Sequence, residues 1–194
     1  EAPSLAALDG QCQGPVPPPV QVRAVTTALH GVGHRWVDAA LRRRGFSDLH
    51  PVLEQAEPDG AFPTVTFPNP EEPGALDLAL ALSARVDADL VVANDPDTDR
   101  LCVAVCAQGS PGRVLSGNEL GVLLADWLLR GRNEKATAGD HPFVATTIVS
   151  TTMLRAVAEA SGATCLQTLT GFKWIWDRAL ARIDEGGTFV FGFE

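Results

Sequence analysis

The sequence has few basic residues, no long hydrophobic run and no closely spaced cysteine pair. The sequence has 15 lysines and arginines and 24 aspartates and glutamates, which gives a formal net charge of −9. Nucleic acids and anionic membrane surfaces are bound through basic patches, so this balance argues against both as partners. No apolar run approaches the roughly 18 residues of a membrane-spanning helix, and no signal peptide is visible. We therefore expect neither a nucleic-acid nor a membrane partner.

The four cysteines, Cys12, Cys102, Cys106 and Cys165, form no C-x-x-C motif. This spacing gives no sign of a disulfide framework or a cysteine-rich metal site. Reduced thiols are typical of the cytoplasm, which is where we expect the protein to act.

Strand-like and helix-like patterns alternate along the chain, and 45% of its residues are hydrophobic. This order predicts an α/β fold with two mixed, mostly parallel sheet layers and flanking helices. Residues 1–19 are rich in alanine, glycine and proline, which predicts an extended linker. We expect one domain over residues 20–115 and a second over residues 116–194.

Three aspartates spaced two apart lie between two valine-rich runs that predict buried strands. Asp95, Asp97 and Asp99 alternate along this loop, so their side chains can point to one side. Two like charges about 4 Å apart repel by roughly 4 kcal/mol at an effective dielectric near 20, so such a cluster favours a bound cation. Carboxylate oxygens are hard ligands, which indicates Mg²⁺ or Ca²⁺ rather than zinc.

Two known spacings do not fit this acidic loop. An EF-hand needs glycine at the sixth loop position and glutamate at the twelfth, where this sequence has Arg100 and Cys106. A phosphatase D-x-D-x-[TV] loop would have threonine or valine in place of Asp99. A solvated acidic turn is the remaining structural alternative. Arg100 argues against it, because an arginine beside a neutralised acidic cluster is well placed to bind a phosphate.

Two further turns are candidates for binding anions. His30-Gly31-Val32-Gly33-His34 joins a predicted strand to a helix, but it lacks the third glycine of a dinucleotide site, and a plain turn is the favoured interpretation. Thr170, Gly171 and Lys173 lie where a strand passes into a helix, which suits an anionic ligand or, equally, a helix cap. Phe172, Trp174 and Trp176, the aromatic residues of that helix, are expected in the core.

Glu194 follows a predicted strand, at the edge where open α/β sheets bind ligands, although it is equally compatible with a simple exposed end.

Together these motifs resemble the α-D-phosphohexomutase superfamily of phosphoglucomutases, phosphomannomutases and phosphopentomutases. Asp-Pro-Asp-Thr-Asp-Arg at residues 95–100 resembles its D-x-D-x-D-R metal loop. Residues 170–173 resemble the turn of its third domain, and residues 192–194 the start of its sugar-recognition loop. Residues 30–33 and 69–72 look closer to the phosphoglucomutase-2 and phosphopentomutase branch than to bacterial phosphomannomutases.

The resemblance implies the second domain and most of the third domain of a four-domain enzyme. Such an enzyme isomerises sugar phosphates through a sugar bisphosphate and a phosphoserine. Asp95, Asp97 and Asp99 would bind Mg²⁺. Arg100 would act as a catalytic and substrate-binding residue at the transferring phosphoryl group. The remaining substrate-binding residues would be Thr170, Lys173 and Glu194.

Other parts of the family pattern are not in the sequence. The T-x-S-H-N-P loop that carries the phosphoserine and the R-x-S-G-T phosphate loop are both missing, and the chain stops within a strand-like run. We therefore expect a fragment, with a truncated third domain, that is inactive without the remaining domains of the same enzyme. Two alternatives stay open: a non-catalytic module that binds metal or sugar phosphate, and a Mg²⁺-dependent phosphatase.

Overall fold

The computed structural model describes residues 21–107, 110–133 and 139–194. The predicted linker over residues 1–19 lies outside the described residues. The chain divides into two compact units, Glu1–Leu115 and Ser116–Glu194.

The first unit is built on a five-stranded mixed sheet with the strand order β2-β1-β3-β4-β5. Strand β1 pairs in parallel with β2 and β3, while the β3–β4 and β4–β5 pairs are antiparallel. Its elements in chain order are β1 (Ala24–Thr27), α1 (His34–Arg43), β2 (Leu49–Pro51), a 3₁₀ turn (Leu53–Gln55), α2 (Asp77–Val86), β3 (Leu90–Asn94), β4 (Leu101–Ala107) and β5 (Ser110–Val114).

The core of the first unit lies between its central strands and helix α2. Val25 of β1, Val91 of β3 and Ala104 of β4 are fully buried and cluster with Ala79 of α2. Because β1 and β3 are parallel, their carboxyl ends meet at one edge of the sheet. The acidic loop leaves β3 at that edge.

Strand β5 forms the outer edge of this sheet, although its sequence is typical of a turn. Ser110–Val114 pairs antiparallel with β4 at the outer edge of the sheet. Pro111 and Gly112 are typical of turns, but an edge strand tolerates proline because it does not need every N–H for pairing. The sequence signal was local, whereas the pairing with β4 is tertiary.

The second unit contains a parallel three-stranded sheet with the order β7-β6-β8. Helix α3 (Gly117–Asn133) begins with a capping box: Glu119 N–H donates to Ser116 Oγ at 3.2 Å, and Ser116 N–H donates to Glu119 Oε2 at 2.9 Å. Its elements in chain order are α3 (Gly117–Asn133), β6 (Pro142–Thr147), α4 (Met153–Ala160), β7 (Thr164–Thr168), α5 (Phe172–Asp184) and β8 (Thr188–Phe193).

The core of the second unit surrounds β6, whose residues are all buried. Leu129 of α3 and Leu154 of α4 pack in one cluster with Val144.

The expectation that the α5 aromatics lie in the core is wrong. Phe172, Trp174 and Trp176 are between 41% and 50% exposed, whereas Ile175 and Ala179 are fully buried. The helical period turns Ile175 and Ala179 toward the sheet, which leaves the aromatic side chains at the surface.

The predicted α/β class with flanking helices is confirmed. The first sheet is mixed, and the described strands of the second sheet are all parallel. Within the described residues, no helix is both long enough and apolar enough to cross a membrane.

Candidate functional site

The acidic loop is a tight turn between two paired strands, as the sequence predicted. Asn94, the last residue of β3, pairs with Leu101, the first residue of β4. Asn94 Nδ2 donates a 2.8 Å hydrogen bond to the Arg100 carbonyl, and Thr98 N–H donates to the Asp95 carbonyl at 3.0 Å. These bonds fix the loop at both ends, so its side chains have defined directions.

Asp95, Asp97 and Asp99 converge. One carboxylate oxygen from each lies within 4.8 Å of the others. Asp95 is only 1% exposed, whereas the other two are exposed. Burial raises the pKa of Asp95, and the nearby charges of Asp97 and Asp99 raise it further, while the hydrogen bond from the Arg100 N–H opposes this shift. A raised pKa means that the surroundings disfavour the charged form of Asp95, which a nearby cation would stabilise.

Arg100 supplies positive charge to this cluster. Its Nε lies 3.0 Å from Asp95 Oδ2 and 3.6 Å from Asp99 Oδ1. The Arg100 side chain is nevertheless 57% exposed, so its guanidinium is open to an anion from solvent. A buried carboxylate, two exposed carboxylates and an accessible guanidinium are the groups needed to hold a hard cation beside a phosphate.

The donor set fits Mg²⁺. The three side chains offer oxygen atoms alone, and each carboxylate oxygen has a second lone pair beyond any hydrogen bond to Arg100.

A turn behind the acidic loop was not assigned to the site by sequence reasoning. Residues 28–33 join β1 to α1, and the Val32 N–H donates to the Pro96 carbonyl at 2.9 Å. His30 and Leu29 adopt positive φ angles of 62° and 47°, which is uncommon for residues other than glycine. The plain strand-to-helix turn favoured from sequence therefore also contacts the acidic loop.

The second unit brings Glu194 to the turn that contains Thr170 and Lys173. The Gly171 N–H donates a 2.8 Å hydrogen bond to Glu194 Oε2. Gly171 has φ +119°, in the left-handed region that favours glycine.

The side chains of Thr170 and Lys173 are exposed, and Lys173 Nζ lies 5.4 Å above the ring of Trp174. Helix α5 begins directly after Gly171, without a side-chain cap. Backbone N–H groups, a hydroxyl, an ammonium and a carboxylate are thus close together at one helix start.

The candidate residues therefore form one group in each unit. Asp95, Asp97, Asp99 and Arg100 lie on the β3–β4 loop, and the turn at residues 170–173 lies beside Glu194.

Two family models match the chain. The first, "Phosphoglucomutase/phosphomannomutase, alpha/beta/alpha domain II", covers residues 16–109. The second, "Phosphoglucomutase/phosphomannomutase, alpha/beta/alpha domain III", covers residues 116–194. The first match includes the acidic loop, and the second includes Thr170, Lys173 and Glu194.

Relatives that act on pentose phosphates by name are similar over most of the chain. Human phosphopentomutase is 44% identical over 178 residues, which is 90% of this chain. The phosphoribomutase of Saccharomyces cerevisiae is 42% identical over 178 residues, or 88% of the chain. The chain spans only 29% of the length of each relative.

The fold is also found in a solved structure of a phosphoglucomutase/phosphomannomutase family protein from Burkholderia thailandensis. The match has a TM-score of 0.73 at 21% identity and covers 97% of this chain and 37% of that one. At this level of identity the match shows a shared fold.

Proposed function

Because this chain belongs to the phosphoglucomutase/phosphomannomutase family, in its phosphopentomutase-like branch, we propose that it supplies the metal loop and part of the sugar-binding surface of a sugar-phosphate mutase. The observation that carries the proposal is the convergence of Asp95, Asp97 and Asp99 beside Arg100. Phosphoryl transfer depends mainly on positioning and on charge neutralisation. A cation-binding loop next to an exposed guanidinium provides both.

The three aspartates would hold Mg²⁺, which supplies positive charge that stabilises the phosphoryl oxygens during transfer. Asp95 is the fixed ligand, because its side chain is buried and accepts the Arg100 N–H at 3.0 Å. Asp97 and Asp99 are exposed and complete the ligand set from the solvent side. Arg100 binds and orients the phosphoryl group through its exposed guanidinium, in a catalytic role.

The turn of the second unit would bind the sugar phosphate. Lys173 attracts the phosphate electrostatically, and Thr170 donates or accepts a hydrogen bond at the start of α5. Glu194 accepts hydrogen bonds from sugar hydroxyls through carboxylate oxygens, one of which is already oriented by the Gly171 N–H.

The full reaction needs parts that this sequence does not contain. We assign the phosphoserine and the second phosphate loop to the remaining domains of the same enzyme, which act together with this chain on a sugar phosphate and a sugar bisphosphate. We also place the protein in the cytoplasm, because the three described cysteines are free thiols, as in a reducing compartment.

The test is an isomerase assay of the full-length protein with ribose-1-phosphate, glucose-1-phosphate and mannose-1-phosphate, with and without Mg²⁺. We expect Mg²⁺-dependent isomerisation, with the pentose phosphate as the preferred substrate because the similar relatives are named for pentose phosphates. Release of inorganic phosphate without isomerisation would identify a phosphatase instead. Binding of sugar phosphate without either reaction would identify a non-catalytic module.

A further inference from the structure

The turn between β1 and α1 packs directly against the acidic loop. This segment, residues 28–33, is called the glycine turn below because Gly31 and Gly33 make its closest approaches. The Val32 N–H between them donates to the Pro96 carbonyl at 2.9 Å. Pro96 and Thr98 are the loop residues that face the glycine turn, and they alternate with the three aspartates.

Gly31 leaves no room for a side chain. A Cβ placed there would lie 2.2 Å from Pro96 Cα and 2.4 Å from the Pro96 carbonyl oxygen. Both atoms belong to the backbone of the acidic loop, so any side chain at position 31 has to push the loop away from the turn. The contact therefore sets the distance between the two segments.

Gly33 contacts Thr98 in a different way. Its φ of −77° and ψ of −26° are in the right-handed helical region, where alanine fits without backbone strain. A Cβ at this position would, however, lie 2.3 Å from Thr98 Oγ1 and 2.8 Å from Thr98 Cγ2. Glycine is required here by the neighbouring side chain and not by the backbone.

Thr98 is itself held in an unfavourable conformation. Its φ is +68°, which is rare for a β-branched residue, and its hydroxyl is buried without a hydrogen-bond partner among the described residues. Such a conformation persists only where surrounding contacts enforce it. The contact with Gly33 and the 3.0 Å hydrogen bond from Thr98 N–H to the Asp95 carbonyl supply these constraints.

We propose that Gly31 and Gly33 are positioning residues for the metal ligands. The inference rests on the proposed function of Asp95, Asp97 and Asp99. The glycine turn packs against Pro96 and Thr98 and so fixes the backbone between the carboxylates. The convergence of these carboxylates on one point depends on that backbone conformation. A methyl group at position 33 moves Thr98 and spreads the ligands apart.

The test is the variant Gly33→Ala in the 194-residue chain, with Mn²⁺ as a spectroscopic probe and Mg²⁺ measured by calorimetry. Elsewhere, a change from glycine to alanine at a compatible φ and ψ stabilises a protein. Here we expect metal affinity to fall by about tenfold or more. Gly60→Ala is the matched control, because a Cβ at Gly60 meets no atom within 4 Å, and its metal affinity should equal that of the wild type.

The double variant Gly33→Ala/Thr98→Gly separates positioning from a general loss of structure. Removing the Thr98 side chain makes room for the alanine methyl group and permits the positive φ, so the double variant should bind metal more tightly than Gly33→Ala. Should Gly33→Ala fail to fold, the double variant is expected to restore folding.

Each remaining outcome points to a specific error. Equal metal affinity in Gly33→Ala and the wild type overturns the inference, and so does a double variant that recovers neither folding nor affinity. A wild-type chain that binds neither Mn²⁺ nor Mg²⁺ overturns the proposed metal site instead.

Discussion

The Nε atom of Arg100 lies 3.0 Å from Oδ2 of Asp95, a carboxylate that is almost completely buried. The same arginine donates its backbone N–H to the other oxygen of Asp95 at 3.0 Å. Arg100 thus holds Asp95 in two independent ways, one through its charge and one through the backbone. A bound cation would compete with the first of these and leave the second intact.

Replacing Arg100 with glutamine separates the two contributions. Arg100→Gln keeps the backbone donor but leaves the carboxylates without their arginine charge, so the metal-free chain should lose about 1–2 kcal/mol in its free energy of unfolding. Removing one partner of a fully buried ion pair costs roughly 3–5 kcal/mol of stability, and we expect a smaller loss here because the guanidinium is more than half exposed. Urea unfolding measures the change.

Magnesium should reduce this loss. Arg100→Gln no longer places a guanidinium beside the cation, so its Mg²⁺ affinity should equal or exceed that of the wild type. The difference in unfolding free energy between the wild type and the variant should therefore become smaller at saturating Mg²⁺. Arg178→Gln, at an exposed arginine of α5, is the control for loss of a positive charge. Weaker Mg²⁺ binding by Arg100→Gln would show that the arginine shapes the loop rather than balancing its charge.

Asp97→Asn tests the ligand set directly. Asp97 is exposed and its charge repels that of Asp95, so the amide should leave the unfolding free energy of the metal-free chain unchanged or slightly higher. Mg²⁺ affinity, measured by calorimetry, should fall at least about tenfold, because a charged oxygen ligand is lost. Asp184→Asn removes the same charge from an exposed position in α5 and should leave the affinity unchanged. Unchanged affinity in Asp97→Asn would contradict the assignment of the site.

The acidic loop could be predicted from sequence because its signal is local. Valine-rich runs on both sides indicated strands, and the pairing of β3 with β4 confirms them. The spacing of Asp95, Asp97 and Asp99 indicated convergence, which the distances between their oxygens show. Charge and periodicity within one segment were sufficient for both.

Contacts between distant segments could not be predicted in this way. The glycine turn and the acidic loop are far apart in the sequence, and no residue pattern marks Gly33 as the neighbour of Thr98. The hydrogen bond from Gly171 to Glu194 likewise depends on the return of β8 to the sheet. The roles of Thr170, Lys173 and Glu194 in substrate binding stay predictions.

Glu194→Ala tests whether this hydrogen bond orients the turn. Losing the carboxylate acceptor should shift the amide proton resonance of Gly171 upfield, because a hydrogen-bonded amide proton is deshielded. Glu194→Gln retains an acceptor oxygen and should preserve most of the original shift. NMR of the labelled chain makes the comparison. If the Gly171 amide proton of both variants resonates at its wild-type position, the 2.8 Å bond is not maintained in solution.

The contacts of the Asp48 carboxylate should make the stability of the chain depend on pH in acid. Arg23 Nε donates to one Asp48 oxygen at 2.8 Å and His50 Nε2 lies 2.8 Å from the other, and these contacts lower the pKa of Asp48. A carboxyl group whose pKa is lowered by folding stabilises the protein above its unfolded pKa of about 3.9, and this contribution is lost as the pH falls through the folded value. Asp48→Asn should therefore show a shallower loss of stability below about pH 4, measured by urea unfolding between about pH 3 and 7. An identical slope in the wild type and the variant would contradict the lowered pKa.

Thr64 links the loop over residues 58–73 to the base of the glycine turn. Its hydroxyl lies 2.8 Å from His30 Nε2 and accepts a 2.9 Å hydrogen bond from the amide of Gln55, a fully buried side chain. Thr64→Val keeps the shape but leaves both partners unsatisfied, so the free energy of unfolding should fall by about 1–2 kcal/mol. Thr64→Ser keeps the hydroxyl and should recover most of this loss.

Because His30 precedes Gly31, we also expect Thr64→Val to weaken Mg²⁺ binding more than Thr64→Ser does. A loss of stability with unchanged Mg²⁺ affinity would show that the glycine turn holds the acidic loop without support from Thr64.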